Sequence, residues 1–184
     1  MRLIALIITA LFSSCAISET INKKDIHNNL IPYITKEAEC LENFDDPEFP
    51  VIDDNRLISI HEMDDGRKLI LALCQPGGYQ DYYIAFITPN LESKDIRPLQ
   101  FLLPSSEGIN WSLSKRAVVA NPHIENNTLV IFNKYTGSAA CGFEAKFNIS
   151  TIGTNILNKP SDLKGELDCQ VERGPDDWPK IKLD

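Results

Sequence analysis

Apolar residues follow two different spacings along the chain after its N-terminal segment. Between residues 24 and 43 they recur every three to four positions, the spacing of one face of a helix. Pro32 lies inside this stretch, so the pattern predicts a break there or a helix that begins near it. We therefore expect a short helical lead-in whose buried positions are Ile26, Leu30, Ile34, Ala38 and Leu41.

From about residue 56 the spacing changes to the period of two that is typical of strands. The stretches rich in β-branched, leucine or aromatic residues are 56–62, 68–74, 82–88, 99–103, 117–120, 128–134, 143–149 and 165–171. Turn-forming residues separate them, for example Asp64-Asp65-Gly66 and Asn126-Asn127. Because no helical period intervenes, we expect a mainly β fold, an antiparallel sandwich or partly open barrel with a short N-terminal helix.

The first residues have the order of an export signal. Arg2 precedes an apolar run over residues 3–12, and small residues follow. The run is shorter than the roughly 20 apolar residues that a membrane-spanning helix needs. Two processing routes stay open. An ordinary cut would fall before Glu19, whereas a lipoprotein-like box would end at Cys15, which would then carry a lipid.

This interpretation gives the domain organisation and the location. We expect a signal peptide over 1–18, the helical lead-in with an acidic loop over 19–54, and a β-rich region over 55–184 that forms one globular unit with the lead-in. The mature protein is expected in the periplasm or cell envelope, either soluble or lipid-anchored in the outer membrane, so that any membrane contact is made through the anchor.

The charge narrows the class of partner. The chain has 18 Lys and Arg residues against 26 Asp and Glu residues, a formal net charge of −8. Nucleic acid is an unsuitable partner for this composition because phosphate binding depends on clusters of Lys and Arg. The negative charge favours solubility, and it would also steer the chain toward a cationic partner.

Four cysteines remain if the export segment is set aside. They can pair in three ways, and sequence alone does not choose among them. Short connections without nesting favour Cys40 with Cys74 and Cys141 with Cys169. A metal site is a poor alternative, because the cysteines lack close C-x-x-C spacing and no nearby histidine pair completes a ligand set.

Several cysteine-containing segments also suggest a family. The chain reads Cys-Gln-Pro-Gly-Gly-Tyr-Gln over 74–80 and Cys-Gly over 141–142, and near its end has a cysteine-led segment over 169–173 and Trp-Pro over 178–179. In order and spacing these resemble the Cys-x-x-Gly-Ala-Tyr-Asn, Gly-Asp-Cys-Gly, Cys-Arg-Gly and Trp-Pro elements of a bacterial exported family, the domain of unknown function eleven-seventy-six. The similarity runs from about residue 58 to residue 183.

The chain also departs from that family. Its members are typically about twice as long and contain more cysteines, so the resemblance covers only their C-terminal half. Ala140 stands where they have an acidic residue before the third cysteine. The resemblance implies export, disulfides and a β-rich fold. It implies no catalytic or binding residue, because none is known to us for the family.

No motif specifies a reaction. The segment that begins His61-Glu62 starts like the zinc protease H-E-x-x-H, but Asp65 stands where the second ligand must be. Gly137-Ser138 is followed by two alanines and so is not a G-x-S-x-G element. An acidic cluster lacks the alternation of a calcium-binding loop; it comprises Asp45, Asp46, Glu48, Asp53 and Asp54. We therefore predict no catalytic residue, no metal and no cofactor.

Two loops are the candidates for binding. The first lies after Cys74 and its candidate residues are Gly77, Gly78, Tyr79, Gln80 and Tyr82; the second precedes Cys141 and its candidates are Gly137 and Ser138. A tyrosine on a stapled loop offers a rigid contact surface for a protein or a glycan. The alternative is that the tyrosines fill the core and the glycines only permit unusual backbone angles.

Two functions from different classes follow. The first is a non-enzymatic binding or inhibitor module of the bacterial cell envelope, whose unknown partner is a protein or a glycan. The second is an envelope enzyme that acts on cell-wall glycan, although with 26 acidic residues nothing singles out a catalytic pair.

Overall fold

A computed structural model describes residues 26, 27, 29, 30, 54–89, 96–107, 110–155, 157–171 and 173–182. The predicted signal peptide, Cys15, Cys40 and most of the acidic loop lie outside these residues. Ile26, His27, Asn29 and Leu30 are helical, as the spacing predicts for that stretch. In the described part of the chain, no helix is long and apolar enough to cross a membrane.

Twelve strands are present in the described segments. They are β1 (Ile58–Glu62), β2 (Lys68–Gln75), β3 (Tyr82–Thr88), β4 (Arg97–Pro98), β5 (Gln100–Glu107), β6 (Asn110–Arg116), β7 (Val118–Ala120), β8 (His123–Glu125), β9 (Thr128–Lys134), β10 (Gly142–Asn148), β11 (Leu157–Asn158) and β12 (Asp162–Glu166). A helical turn over Asp54–Leu57 precedes β1, and two 3-10 turns lie at Ile149–Thr151 and Pro175–Asp177.

The strands form three sheets. The first has the order β1-β2-β3-β4, and β7 pairs with the other half of the same β3 edge; the second is β12-β10-β9-β8; the third is β11-β5-β6. Every pair is antiparallel except the short parallel pair of β11 with β5. The prediction of a mainly β, antiparallel fold is confirmed. The described strands are divided among these sheets and do not close into a barrel.

The first sheet is buried on both faces. On one face Leu69 and Leu71 of β2 belong to a core that also includes Phe101 of the third sheet and Phe147 of the second. On the other face, Ile70 and its neighbours pack with Leu30 of the helical residues. This explains why β2 reads as a continuous apolar run, since a strand covered on both sides needs no polar alternation.

Several predicted strand limits need correction. The stretch 56–62 begins as a helical turn, and the strand itself starts at Ile58. The last predicted strand, 165–171, is shifted, because β12 occupies Asp162–Glu166, where Leu163 and Gly165 are buried and alternate with less buried neighbours. Four strands were not predicted: β4, β6, β8 and β11.

One of the two predicted disulfides joins described residues. Cys141 lies directly before β10 and Cys169 lies beyond the end of β12, and the two are bonded. Because β10 pairs with β12 from Gly142 and Glu166 onward, the bond closes the end of this strand pair. Cys74 is also disulfide-bonded, but its predicted partner Cys40 lies outside the described residues, so that pairing stays a prediction.

His27 connects the helical residues to the first sheet. Its side chain is 2% exposed, and its Nε2 donates a hydrogen bond to the carbonyl oxygen of Leu73 at 3.0 Å. Burial lowers the pKa of His27 below its usual value, and the hydrogen bond to Leu73 opposes this only in part. The neutral imidazole is therefore the form that the folded protein accommodates.

We expect the protein to lose stability as the pH falls below about 6.5, the usual pKa of histidine. Since the folded pKa of His27 is the lower one, the unfolded chain binds more protons in that range and is favoured. His27→Gln keeps an N–H donor but does not titrate. Urea unfolding at pH 7.5 and pH 5 should show a larger loss of stability for the wild type than for His27→Gln. Equal losses would contradict this role of His27.

Candidate functional site

A groove of about 640 Å3 opens where the three sheets meet. The first sheet contributes the ends of β2 and β7 and the start of β3, the second contributes β9 and β10, and the third contributes the middle of β5 and the end of β6. Its volume lies in the range of small-molecule binding sites. Four of its apolar lining residues are Leu103, Val118, Ala120 and Phe143.

The polar lining of the groove comes from distant parts of the chain. Hydroxyl, phenol and amide groups come from Tyr82, Ser105, Asn133 and Tyr135. Positive charge comes from Lys115 and Arg116. Hydrogen-bonding groups set among apolar side chains are typical of sites that orient a small molecule.

Gln80 holds two of these polar residues in place. Although it was a candidate contact residue, it is only 5% exposed. Its Nε2 donates to the phenol oxygen of Tyr82 and, at 3.2 Å, to Oδ1 of Asn133. Its Oε1 accepts from the backbone N–H of Lys134 at 2.9 Å. Gln80 therefore lies behind the groove and ties β3 to β9.

A second network is centred on Asp81, which lies between Gln80 and Tyr82, and it also fixes the loop at Gly77. Both Asp81 carboxylate oxygens accept hydrogen bonds from Arg56, at 2.6 and 3.1 Å, and Oδ1 also accepts from the backbone N–H of Gly77 at 3.0 Å. The backbone N–H of Asp81 donates to Oδ1 of Asn121 at 3.0 Å. Because the guanidinium binds through two nitrogens, its orientation as well as its position is specified.

The charges of Asp81 and Arg56 affect the pKa of the neighbouring Tyr83. Burial raises the pKa of Tyr83 above its usual value, and the negative Asp81 raises it further, while Arg56 acts in the opposite direction. Tyr83 consequently stays a neutral phenol at physiological pH, packed against the main core.

The glycines of the two predicted loops have different roles. A Cβ at Gly77 would lie 2.0 Å from the backbone oxygen of Gln80, so glycine is needed for the turn to close. Gly78 and Gly137 have open space around the same position. Gly77 is therefore structural, and the other two leave room at the surface.

The structure separates the predicted binding residues. Tyr82 lines the groove, whereas Gly77, Gly78, Tyr79 and Gln80 line a smaller cavity of about 300 Å3 with Arg56 and Asp81 among its other residues. Tyr79 is 53% exposed, and its carbonyl oxygen accepts from Nζ of Lys134 at 3.4 Å. The alternative that the tyrosines fill the core thus fits Tyr83 but not Tyr79.

The second predicted loop is exposed and does not line either cavity. Gly137 and Ser138 lie at the surface, and Oγ of Ser138 is 3.1 Å from Oγ1 of Thr136. Ala139 has a positive φ of 57°, which places it in the left-handed region as the chain turns toward Cys141. This loop presents small polar groups beside the disulfide.

The sequence analysis missed several groove residues, namely Ser105, Lys115, Arg116 and Asn133. They are scattered over strands that are separate in sequence. The adjacent cations Lys115-Arg116 gave no specific signal, because the sequence also contains the adjacent pairs Lys23-Lys24 and Arg67-Lys68.

The described residues contain no group of three or more His, Cys, Asp or Glu side chains that could hold a metal ion.

Comparison with protein-family models, with curated proteins and with solved structures gives no match, so the resemblance to the domain of unknown function eleven-seventy-six stays a prediction.

Proposed function

We propose that the protein is an exported, non-enzymatic binding module of the bacterial cell envelope and that its ligand occupies the groove between the three sheets. The observation that carries this proposal is the support behind the groove. Tyr82 and Asn133 project from different sheets and are both held by the buried Gln80. Side chains that are fixed before a ligand arrives lose less freedom on binding, which favours affinity.

The disulfide supports the cellular part of the proposal. Disulfides form and persist in oxidising compartments such as the periplasm, and the bond between Cys141 and Cys169 is compatible with such a location. Export through the N-terminal segment and a lipid on Cys15 are parts of the same proposal. Intact-mass measurement of the protein from fractionated cells tests them. A chain that begins at Glu19 or at an acylated Cys15 is expected, and an unprocessed cytoplasmic chain would contradict export.

A fragment screen followed by NMR tests the groove. Small molecules that bind should shift the amide signals of residues around Tyr82, Asn133 and Phe143. Ala117, a half-buried groove residue, can be replaced by tryptophan to fill the space, and Ala117→Trp should abolish these shifts. Ser59→Trp is the matched control, because Ser59 is exposed on β1 and does not line the groove.

The outcomes separate the two functional classes. Shifts that are scattered over the surface, or that persist in Ala117→Trp, would contradict a binding groove. If cell-wall fragments in the same screen are cleaved, which mass spectrometry would detect, the enzymatic alternative replaces the binding module.

A further inference from the structure

We propose that the groove binds a small organic anion, whose carboxylate or phosphate group is attracted by the positive charge of Lys115 and Arg116 and whose apolar or ring-shaped body lies against the half-buried apolar side chains. This inference rests on the proposed function, because it names the class of ligand for the same groove. The first supporting observation is the sign of the charge in the groove. Every charged side chain among the described residues that line the groove is a cation.

That local charge is opposite to the charge of the whole chain. The protein carries a formal net charge of −8, so a random patch of its surface would be expected to be acidic. Lys115 and Arg116 both lie at the end of β6 and are exposed. A groove that concentrates the minority charge attracts anions and disfavours cations.

The two cations also differ from most others in the described chain. Arg56, Lys164 and Lys180, for example, form ion pairs with acidic residues. Lys115 and Arg116 form no ion pair with any residue that the structure describes. An incoming anion would therefore not have to displace a described carboxylate from either of them.

The surroundings of the cations suggest the rest of the ligand. The half-buried Ala117 and Val118 and the half-buried ring of Tyr135 offer apolar surface in the groove, and Tyr82 and Asn133 offer polar groups. An inorganic anion would leave this surface unused.

Because Lys115 and Arg116 are adjacent in β6, their side chains leave opposite faces of the strand, so one of them contacts the head group and the other adds to the local positive charge. Arginine binds carboxylate and phosphate groups through two nitrogens and lysine acts as a point charge, so each cation suits either head group.

Three probes that share one ring system test the inference: 2-naphthoate, 2-naphthyl phosphate and neutral 2-naphthol. Equilibrium dialysis with fluorescence detection would measure their binding at neutral pH. We expect the two anions to bind more tightly than naphthol. In Lys115→Gln/Arg116→Gln their affinity should fall roughly tenfold, whereas that of naphthol should hardly change. The anion that binds with the higher affinity identifies the preferred head group.

The matched control is Lys159→Gln/Lys182→Gln, which removes the same charge from exposed lysines outside the groove. It should bind all three probes as the wild type does, and thermal unfolding should confirm that both double variants are folded. Anion binding that is absent, or equal to that of naphthol, or equally weakened in the control overturns the inference. If all three probes bind equally and Ala117→Trp abolishes their binding, the proposed groove function stands while the anion inference fails.

Discussion

Replacing Trp178 with alanine should lower the free energy of unfolding by about 3 to 5 kcal/mol. The side chain is only 4% exposed, and its ring stacks on Phe132 with centroids 5.5 Å apart. The surrounding backbone is tied to β12, since Gly165 donates to the oxygen of Pro179 and Ile181 donates to the oxygen of Leu163. Alanine would leave a cavity between the terminal segment, residues 173–182, and the second sheet. Urea unfolding followed by circular dichroism would measure the loss.

Trp178→Phe is the informative control. The indole Nε1 is buried and forms no hydrogen bond with any residue in the described segments. Phenylalanine keeps a stacking ring and removes this donor, so its cost should be roughly 1 to 2 kcal/mol. If phenylalanine and alanine destabilise the protein equally, stacking on Phe132 is not what stabilises the terminal segment.

Removal of the bond between Cys141 and Cys169 should cost about 3 to 4 kcal/mol. The bond closes a loop with a sequence separation of 28 residues, and cutting it returns that conformational freedom to the unfolded chain. Cys141 is buried and Cys169 is exposed, so Cys141→Ala/Cys169→Ser suits both environments. The variant is preferable to a reducing agent, which would also act on the disulfide of Cys74. If chemical unfolding gives the variant a free energy of unfolding within about 1 kcal/mol of the wild-type value, the loop-closure argument is contradicted.

The period of the apolar residues predicted the central strands because their burial follows directly from their sequence. Predicted strand 128–134 coincides with β9, and 82–88 coincides with β3. The missed strand β6 is rich in polar residues and lies at the edge of its sheet, where backbone pairing with β5 sets the conformation. Apolar periodicity carries little information for such a strand.

The candidate site was less predictable, because its residues meet only in the folded chain. The segment after Cys74 was predicted as a candidate binding loop, and its residues serve three purposes in the structure. Gly77 permits close packing, Gln80 is buried, and Tyr79 is exposed. Nothing in the local sequence shows that Gln80 will meet Asn133, which is 53 residues away. The groove depends on this long-range contact.

The assembly of the groove from three sheets links ligand binding to the folding equilibrium. Its walls run from Cys74 to Phe143 in sequence, so an unfolded chain has no equivalent site. Any molecule that occupies it must therefore shift the equilibrium toward the folded chain by mass action, by about 2.7 kcal/mol when its free concentration is about 100 times its dissociation constant. A rise in the melting temperature would thus reveal the natural ligand in an unlabelled mixture before its chemistry is known.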